Sequence, residues 1–144
     1  MTGVPSKILV PVDGSENSFR AFERALELAK DTDAQMTVVL VIETPPTVYV
    51  ESQKLLDELL KNYRQESAKV LDRYGDVAEK QGLKVESAVM EGDPASNIVG
   101  YAEKGGFDMI VMGSRGLGRF KGMVLGSTSR KVLQNAKCPV LIVK

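Results

Sequence analysis

The sequence predicts an α/β fold built on a parallel sheet with helices on both faces, and three observations carry that prediction. Short apolar, β-branched runs alternate with longer amphipathic segments along the whole chain, the order expected of successive β-α-β units. The first two runs are apolar at nearly every position, as strands covered on both faces are. A glycine-rich stretch, from Gly113 to Gly126, joins the end of a later run to the start of a helix.

The elements follow in order. Lys7 to Val12 (Lys-Ile-Leu-Val-Pro-Val) is the first strand, with Pro11 near its end, where a missing donor is tolerated. Asp13-Gly14-Ser15 turns the chain; Ser15 fits an N-cap and Glu16 favours the first helical turn. Phe19, Phe22, Leu26 and Ala29 then recur at helical spacing, with an end near Lys30 to Thr32. Gln35 to Ile42 is the second strand, stopped by Pro45-Pro46. Val50 to Gln81 is the longest periodic segment. Leu56, Leu59, Leu60, Tyr63, Val70, Leu71, Tyr74 and Ala78 form its apolar stripe, which is too wide and too short for a coiled coil. Gly75 is a point of weakness in it, and Gly82 is a stop.

Leu83 to Met90, with fewer apolar positions, reads as an edge strand. Asp93 and Pro94 fit the N-cap and first position of a helix that buries Ile98, Val99 and Ala102 and closes at Gly105-Gly106. Phe107 to Met112 is the fourth strand. A last helix, from about Ser127 to Asn135, buries Val132 and Leu133, and Val140 to Val143 is the final strand. No internal repeat or linker divides the 144 residues, so one domain, 1–144, is expected.

Bulk properties narrow the function. A net charge of zero provides no global field toward nucleic acid or an anionic membrane. One cysteine, Cys138, excludes an internal disulfide framework and is expected to be an inert residue before proline. No apolar run approaches the ~20 residues of a membrane span, and the start of the chain lacks a signal-peptide pattern, so a cytoplasmic location is expected. Histidine is absent, which removes Ser-His-Asp, Cys-His and His-zinc chemistry.

The glycine-rich stretch carries the chemistry. Gly113, Gly116, Gly118 and Gly122 stand among Arg115, Arg119 and Lys121, and Gly126 opens the triplet Ser127-Thr128-Ser129. Glycines permit close backbone approach, and the amides of a following helix start point outward, so the stretch reads as a phosphate cradle. Arg119 and Lys121 are expected to be solvated. Gly116-x-Gly118-x3-Gly122 is not a dinucleotide fingerprint, because no helix opens inside it, and no P-loop pattern occurs. Asp13 follows another apolar strand; turn residue and site residue are its two readings.

In four places the chain resembles the universal stress protein family. They are Ile-Leu-Val-Pro-Val-Asp-Gly-Ser from Ile8, Glu91-Gly92-Asp93-Pro94-Ala95, Asp108 to Gly116 with the spacing Gly113-x2-Gly116-x9-Gly126-Ser127, and Cys138-Pro139-Val140-Leu141-Ile142-Val143. Each motif is weak alone; four in register are specific. The resemblance implies a three-layer α/β/α sandwich with a five-stranded parallel sheet in order 3-2-1-4-5. It also implies the branch that binds ATP. In that branch Pro11, Val12 and Asp13 would hold the adenosine and Val41 would line the adenine pocket. Gly113, Arg115 and Gly116 would meet ribose and phosphates, and Gly126, Ser127 and Thr128 the phosphates. The residue chemistry agrees: Val12, Val41 and Met112 offer an apolar slot for a base, and Asp13 could hold Mg²⁺ through the phosphates.

With that strand order, Val140–Val143 lies at a sheet edge, where pairing with a second copy would cover it as a homodimer. The expected function is a nucleotide-dependent stress-response or signalling module that takes ATP, or ADP or AMP, with Mg²⁺ and an unidentified protein partner. No dedicated catalytic set is visible, so hydrolysis is at most slow. The alternative is a stress-response interaction protein that binds no nucleotide. A remoter third reading, an enzyme of the wider adenine-nucleotide-hydrolase-like group, would need a second substrate site.

Overall fold

A computed structural model describes residues 3–43, 52–115 and 125–144. The elements run β1 (Lys7–Pro11), α1 (Glu16–Thr32), β2 (Gln35–Ile42), α2 (Gln53–Lys80), β3 (Glu86–Glu91), α3 (Pro94–Gly105), β4 (Met109–Gly113), α4 (Ser127–Asn135) and β5 (Val140–Val143). The five strands form one sheet in the order β3-β2-β1-β4-β5, every neighbouring pair parallel. Among the described residues no helix is long and apolar enough to cross a membrane.

Alternation along the strands divides the core into two layers. Ile8, Val10, Met36, Val38, Leu40 and Val111 face α1 and α2, packing on Phe22, Leu26, Leu71 and Tyr74. Leu9, Val39, Ile110 and Met112 face the other way, onto Ile98 and Ala102 of α3 and Val132 of α4. β1 and β4 are adjacent at the centre, so the loops leaving their carboxyl ends open into one crevice.

Local signals set the helix boundaries. The Ser15 side chain accepts from the Ser18 amide, and that of Asp93 from the Ser96 amide, with Pro94 at the first turn of α3. Gly106, at φ 68°, ends α3 in the left-handed region that glycine adopts without a Cβ penalty.

Four expectations are corrected. β3 begins at Glu86 rather than Leu83, because Leu83 and Val85 pack on the core from the connection before the strand. α2 starts at Gln53, where Ser52 caps it; the expected start at Val50 and the Pro45-Pro46 loop lie outside the described residues. The α2 stripe is buried only in its second half, at Ser67, Leu71, Tyr74 and Ala78. Tyr63 of that stripe is 41% exposed, since a helix of 28 residues, roughly 42 Å long at 1.5 Å per residue, outruns the sheet it covers. Leu133 is likewise exposed, and only Val132 of the pair is buried, because adjacent helical residues point about 100° apart.

Gly75 does not break α2, which runs through it, and a Cβ there would meet nothing within 4 Å. Gly75→Ala should therefore raise stability by about 0.5–1 kcal/mol, read as a higher urea midpoint at unchanged m-value.

At the amino end of the sheet, Asp108 latches β1 to the α3–β4 connection. Its carboxylate accepts from the Ser6 amide at 2.9 and 3.1 Å, from the Ser6 hydroxyl at 2.7 Å and from the Lys7 amide at 3.2 Å. Burial pushes this carboxyl up, but these hydrogen bonds outweigh it and hold it below its ordinary value of 3.8. A carboxylate depressed in the folded state adds stability that is fully present above the unfolded value and lost as pH falls through the folded one. Asp108→Asn should thus flatten the loss of unfolding free energy below roughly pH 4, measured by denaturant titrations at stepped pH.

Candidate functional site

The crevice at the carboxyl ends of β1 and β4 holds a cavity of about 350 Å³, within the size range of small-molecule sites. Pro11, Val12 and Asp13 enter from the end of β1, Val41 from β2, and Met112, Gly113 and Arg115 from the end of β4. Gly126, Ser127 and Thr128 come from the start of α4. These are all of the sequence-derived candidates within the described residues, drawn from four separate segments. Gly116 lies outside the described residues, as do Gly118, Arg119, Lys121 and Gly122.

The β1 side of the cavity is a braced turn. The Val12 amide continues the ladder to the Val39 carbonyl at 2.8 Å. An Asp13 carboxylate oxygen accepts from the Ser15 amide at 2.9 Å, so the turn-residue role of Asp13 is real and coexists with its place at the cavity wall. Gly14 takes φ 85°, which disfavours any side chain. Its amide donates to the Tyr74 phenol, 3.2 Å away, and the phenol shares a 2.8 Å hydrogen bond with the Ser18 hydroxyl. Burial pushes the Tyr74 phenol up, against the opposing effect of those two hydrogen bonds, so it stays neutral as a fixed strut under the turn.

The β4 side is tied to α1 and β5. Gly113 packs so tightly on Asn17 that a Cβ would overlap the Asn17 Oδ1 and sit 2.9 Å from its Cγ and 3.1 Å from its backbone carbonyl oxygen. The Asn17 Oδ1 accepts from the Arg115 amide at 2.7 Å, and its Nδ2 donates to the Val143 carbonyl at 3.0 Å. That carbonyl also accepts from the Ser114 amide at 2.9 Å. One buried amide thereby joins the loop after β4 to the end of the edge strand.

At the start of α4 the cap is Gly126, which makes no side-chain hydrogen bond. Ser127 and Thr128 stand at the first two helical positions, where amides lack an intrahelical acceptor. The Gly126 amide donates to the Ser114 carbonyl at 2.7 Å, and the buried Ser129 hydroxyl donates to the same carbonyl at 2.9 Å. These bonds pin the helix start against the end of β4 and leave Ser127 and Thr128 lining the cavity.

Six lining residues were not among the candidates: Ser18, Val39, Glu43, Pro94, Ile98 and Ser129. Val39 could have been found from the period of two, which places it on the same face as Val41. Ser129 was visible as the third hydroxyl of its triplet. Ile98 and Pro94 reach the cavity only through the position of α3. Glu43 adds a second carboxylate beside Asp13. Among the described residues no group of three or more His, Cys, Asp or Glu side chains could form a metal cage. Cys138 is elsewhere, its thiol pushed up by burial, which disfavours the reactive thiolate.

Comparison with known proteins places this geometry among relatives. A model of the universal stress protein family matches residues 5–144. A universal stress protein of Methanocaldococcus jannaschii is 39% identical over 141 residues, covering 96% of this chain and 81% of the relative. Of the solved structures, the protein MJ0577 superposes with a TM-score of 0.88 at 30% identity over 98% of this chain and 96% of its own. A universal stress protein in complex with cAMP does so with a TM-score of 0.71 at 26% identity over 99% and 98%.

Proposed function

The chain belongs to the universal stress protein family, and from that premise we propose that it is an adenine-nucleotide-binding signalling module whose ligand lies in the carboxyl-end cavity. The observation that carries the proposal is the convergence on one cavity of an apolar slot and a helix start. Val12, Val41 and Met112 suit the faces of a flat base, and the backbone of Pro11–Asp13 suits its edge and the ribose. Gly113, Arg115 and Gly116 meet ribose and phosphates. Gly126, Ser127 and Thr128 present backbone amides and hydroxyls to the phosphates. The cyclic adenine nucleotide held by one relative supports the base class.

ATP with Mg²⁺ is the form the cradle favours, with ADP and AMP bound through the adenosine contacts. Among the described residues the cavity offers carboxylates only at Asp13 and Glu43. That sparse donor set suits Mg²⁺, which keeps waters and takes phosphates with one or two carboxylates; Asp13 would hold it. No histidine is present to move protons, so the bound state, rather than rapid turnover, is the output, delivered to a protein partner. Residues 1–144 act as one cytoplasmic domain. Val140–Val143 forms the open edge of the sheet, and we assign it the interface of a homodimer.

Calorimetric titration with ATP, ADP, AMP, cAMP and GTP, with and without Mg²⁺, tests the proposal. The expected order is MgATP tightest, AMP weaker and GTP weakest. A protein that takes up none of them at millimolar concentration would instead be an interaction protein whose glycine stretch is structural. Light scattering at micromolar concentration should give the mass of two chains; a monomer would remove the edge-strand interface.

A further inference from the structure

We propose that the amino end of the sheet carries a second small-molecule site, for a phosphate monoester with a flat or apolar body, separate from the carboxyl-end cavity. The site is a cavity of about 730 Å³ between the first residues of β1, β2 and β3 and the C-terminal half of α3. Lys7 and Gln35, the first residues of their strands, line it. β1 has five residues, so at ~3.3 Å each the two cavities are roughly 15 Å apart along the strands.

Its floor holds an unusual group. Parallel register places Leu9, Thr37 and Glu86 side by side on the face toward α3. Thr37 is only 6% exposed and lines the cavity, yet its hydroxyl has no hydrogen-bond partner among the described residues. A buried hydroxyl without a partner is unfavourable, and a ligand oxygen would supply the missing bond.

The charge around that floor selects an anion. Lys7, Lys84 and Lys104 line the cavity, and none forms an ion pair with a carboxylate among the described residues. Among the described residues Glu86 is the single carboxylate of the lining. The resulting excess of two positive charges matches a phosphate monoester, which carries about −1.5 to −2 near pH 7. Lys7 is held in position: its ammonium donates to the Gly105 carbonyl and sits 4.6 Å over the centroid of the Phe107 ring. It retains two further N–H donors. The Tyr101 and Phe107 rings, with centroids 5.7 Å apart and tilted by 31°, form the apolar wall that inorganic phosphate would leave uncovered.

Two-dimensional NMR titrations of the full chain with phenyl phosphate, inorganic phosphate and benzyl alcohol test the proposal. Phenyl phosphate should produce saturable shifts at Thr37, Tyr101 and Gly105 with a Kd of ~1 mM or below, and should bind more tightly than either fragment. Lys84→Gln combined with Lys104→Gln changes exposed side chains and leaves the core intact; it should weaken binding by roughly three- to tenfold, as should raised salt. Thr37→Val, which keeps the shape and removes the hydroxyl, should also weaken it. Shifts confined to Gly113 and Ser127 would place the ligand in the other cavity and overturn the proposal. So would benzyl alcohol binding equally well, or an affinity unchanged in the double lysine variant.

Discussion

Gly113→Ala is expected to lower the melting temperature by about 6–12 °C. The reason is not backbone conformation, since Gly113 is not among the glycines with positive φ. The added Cβ would overlap the Asn17 Oδ1 and stand 2.9 Å from its Cγ and 3.1 Å from its backbone carbonyl oxygen, closer than packed atoms sit. Asn17 cannot swing aside freely, because both ends of its amide are hydrogen-bonded. Overpacking of this kind costs about 2–3 kcal/mol, and at roughly 3–4 °C per kcal/mol for a chain of this length the shift follows. Calorimetric melting of the variant measures it; a loss under about 2 °C would mean that α1 yields readily at this point.

Asn17→Ala carries the second large effect, about 2–4 kcal/mol. Asn17 is 7% exposed, so its removal strands the Arg115 amide and takes one of the two donors from the Val143 carbonyl. A buried donor left without a partner costs about 1–3 kcal/mol, and the small cavity adds to that. Asn17→Asp should be similarly harmful although it keeps the shape. It retains an acceptor for Arg115 but turns a second acceptor toward the Val143 carbonyl. The double variant Gly113→Ala, Asn17→Ala should lose less than the sum of the two, by roughly 1–2 kcal/mol, because truncating the asparagine vacates the space the new methyl group needs. Urea unfolding of the four proteins closes the cycle; strict additivity would show that the two residues do not act as one contact.

This pair also shows where the sequence could be read and where it could not. Ser15, Asp93 and Pro94 were legible because a cap is a local event within four residues. The strands were legible because burial on both faces leaves almost no polar positions in β1 and β2. Asn17 was not, since it looks like any polar residue of an early helical turn, while its partners are 98 and 126 residues away. Ile98 enters the cavity for the same kind of reason: the topology, not its spacing, brings α3 beside β2. The outer half of α2 failed differently. Tyr63 continues a helical period past the end of the sheet, and periodicity reports a face without reporting what covers it. The ten described candidates of the cavity came together because each sits at the carboxyl end of a strand or the start of a helix, positions the chain order alone identifies once β1 and β4 are neighbours.

The most direct measurement of the central claim is thermal melting of wild type and Ser127→Glu, each with and without MgATP. Ser127 is exposed at the first position of α4, where a glutamate favours the helix dipole and should leave the ligand-free melting temperature unchanged or slightly higher. The same carboxylate would repel phosphates in the cavity. Wild type at ~100 times Kd should gain about 2.7 kcal/mol, a rise of roughly 8–11 °C, and the variant should gain almost none of it at the same ATP concentration. An equal rise in both proteins would put the phosphates somewhere other than the start of α4, and no rise in either would contradict nucleotide binding itself.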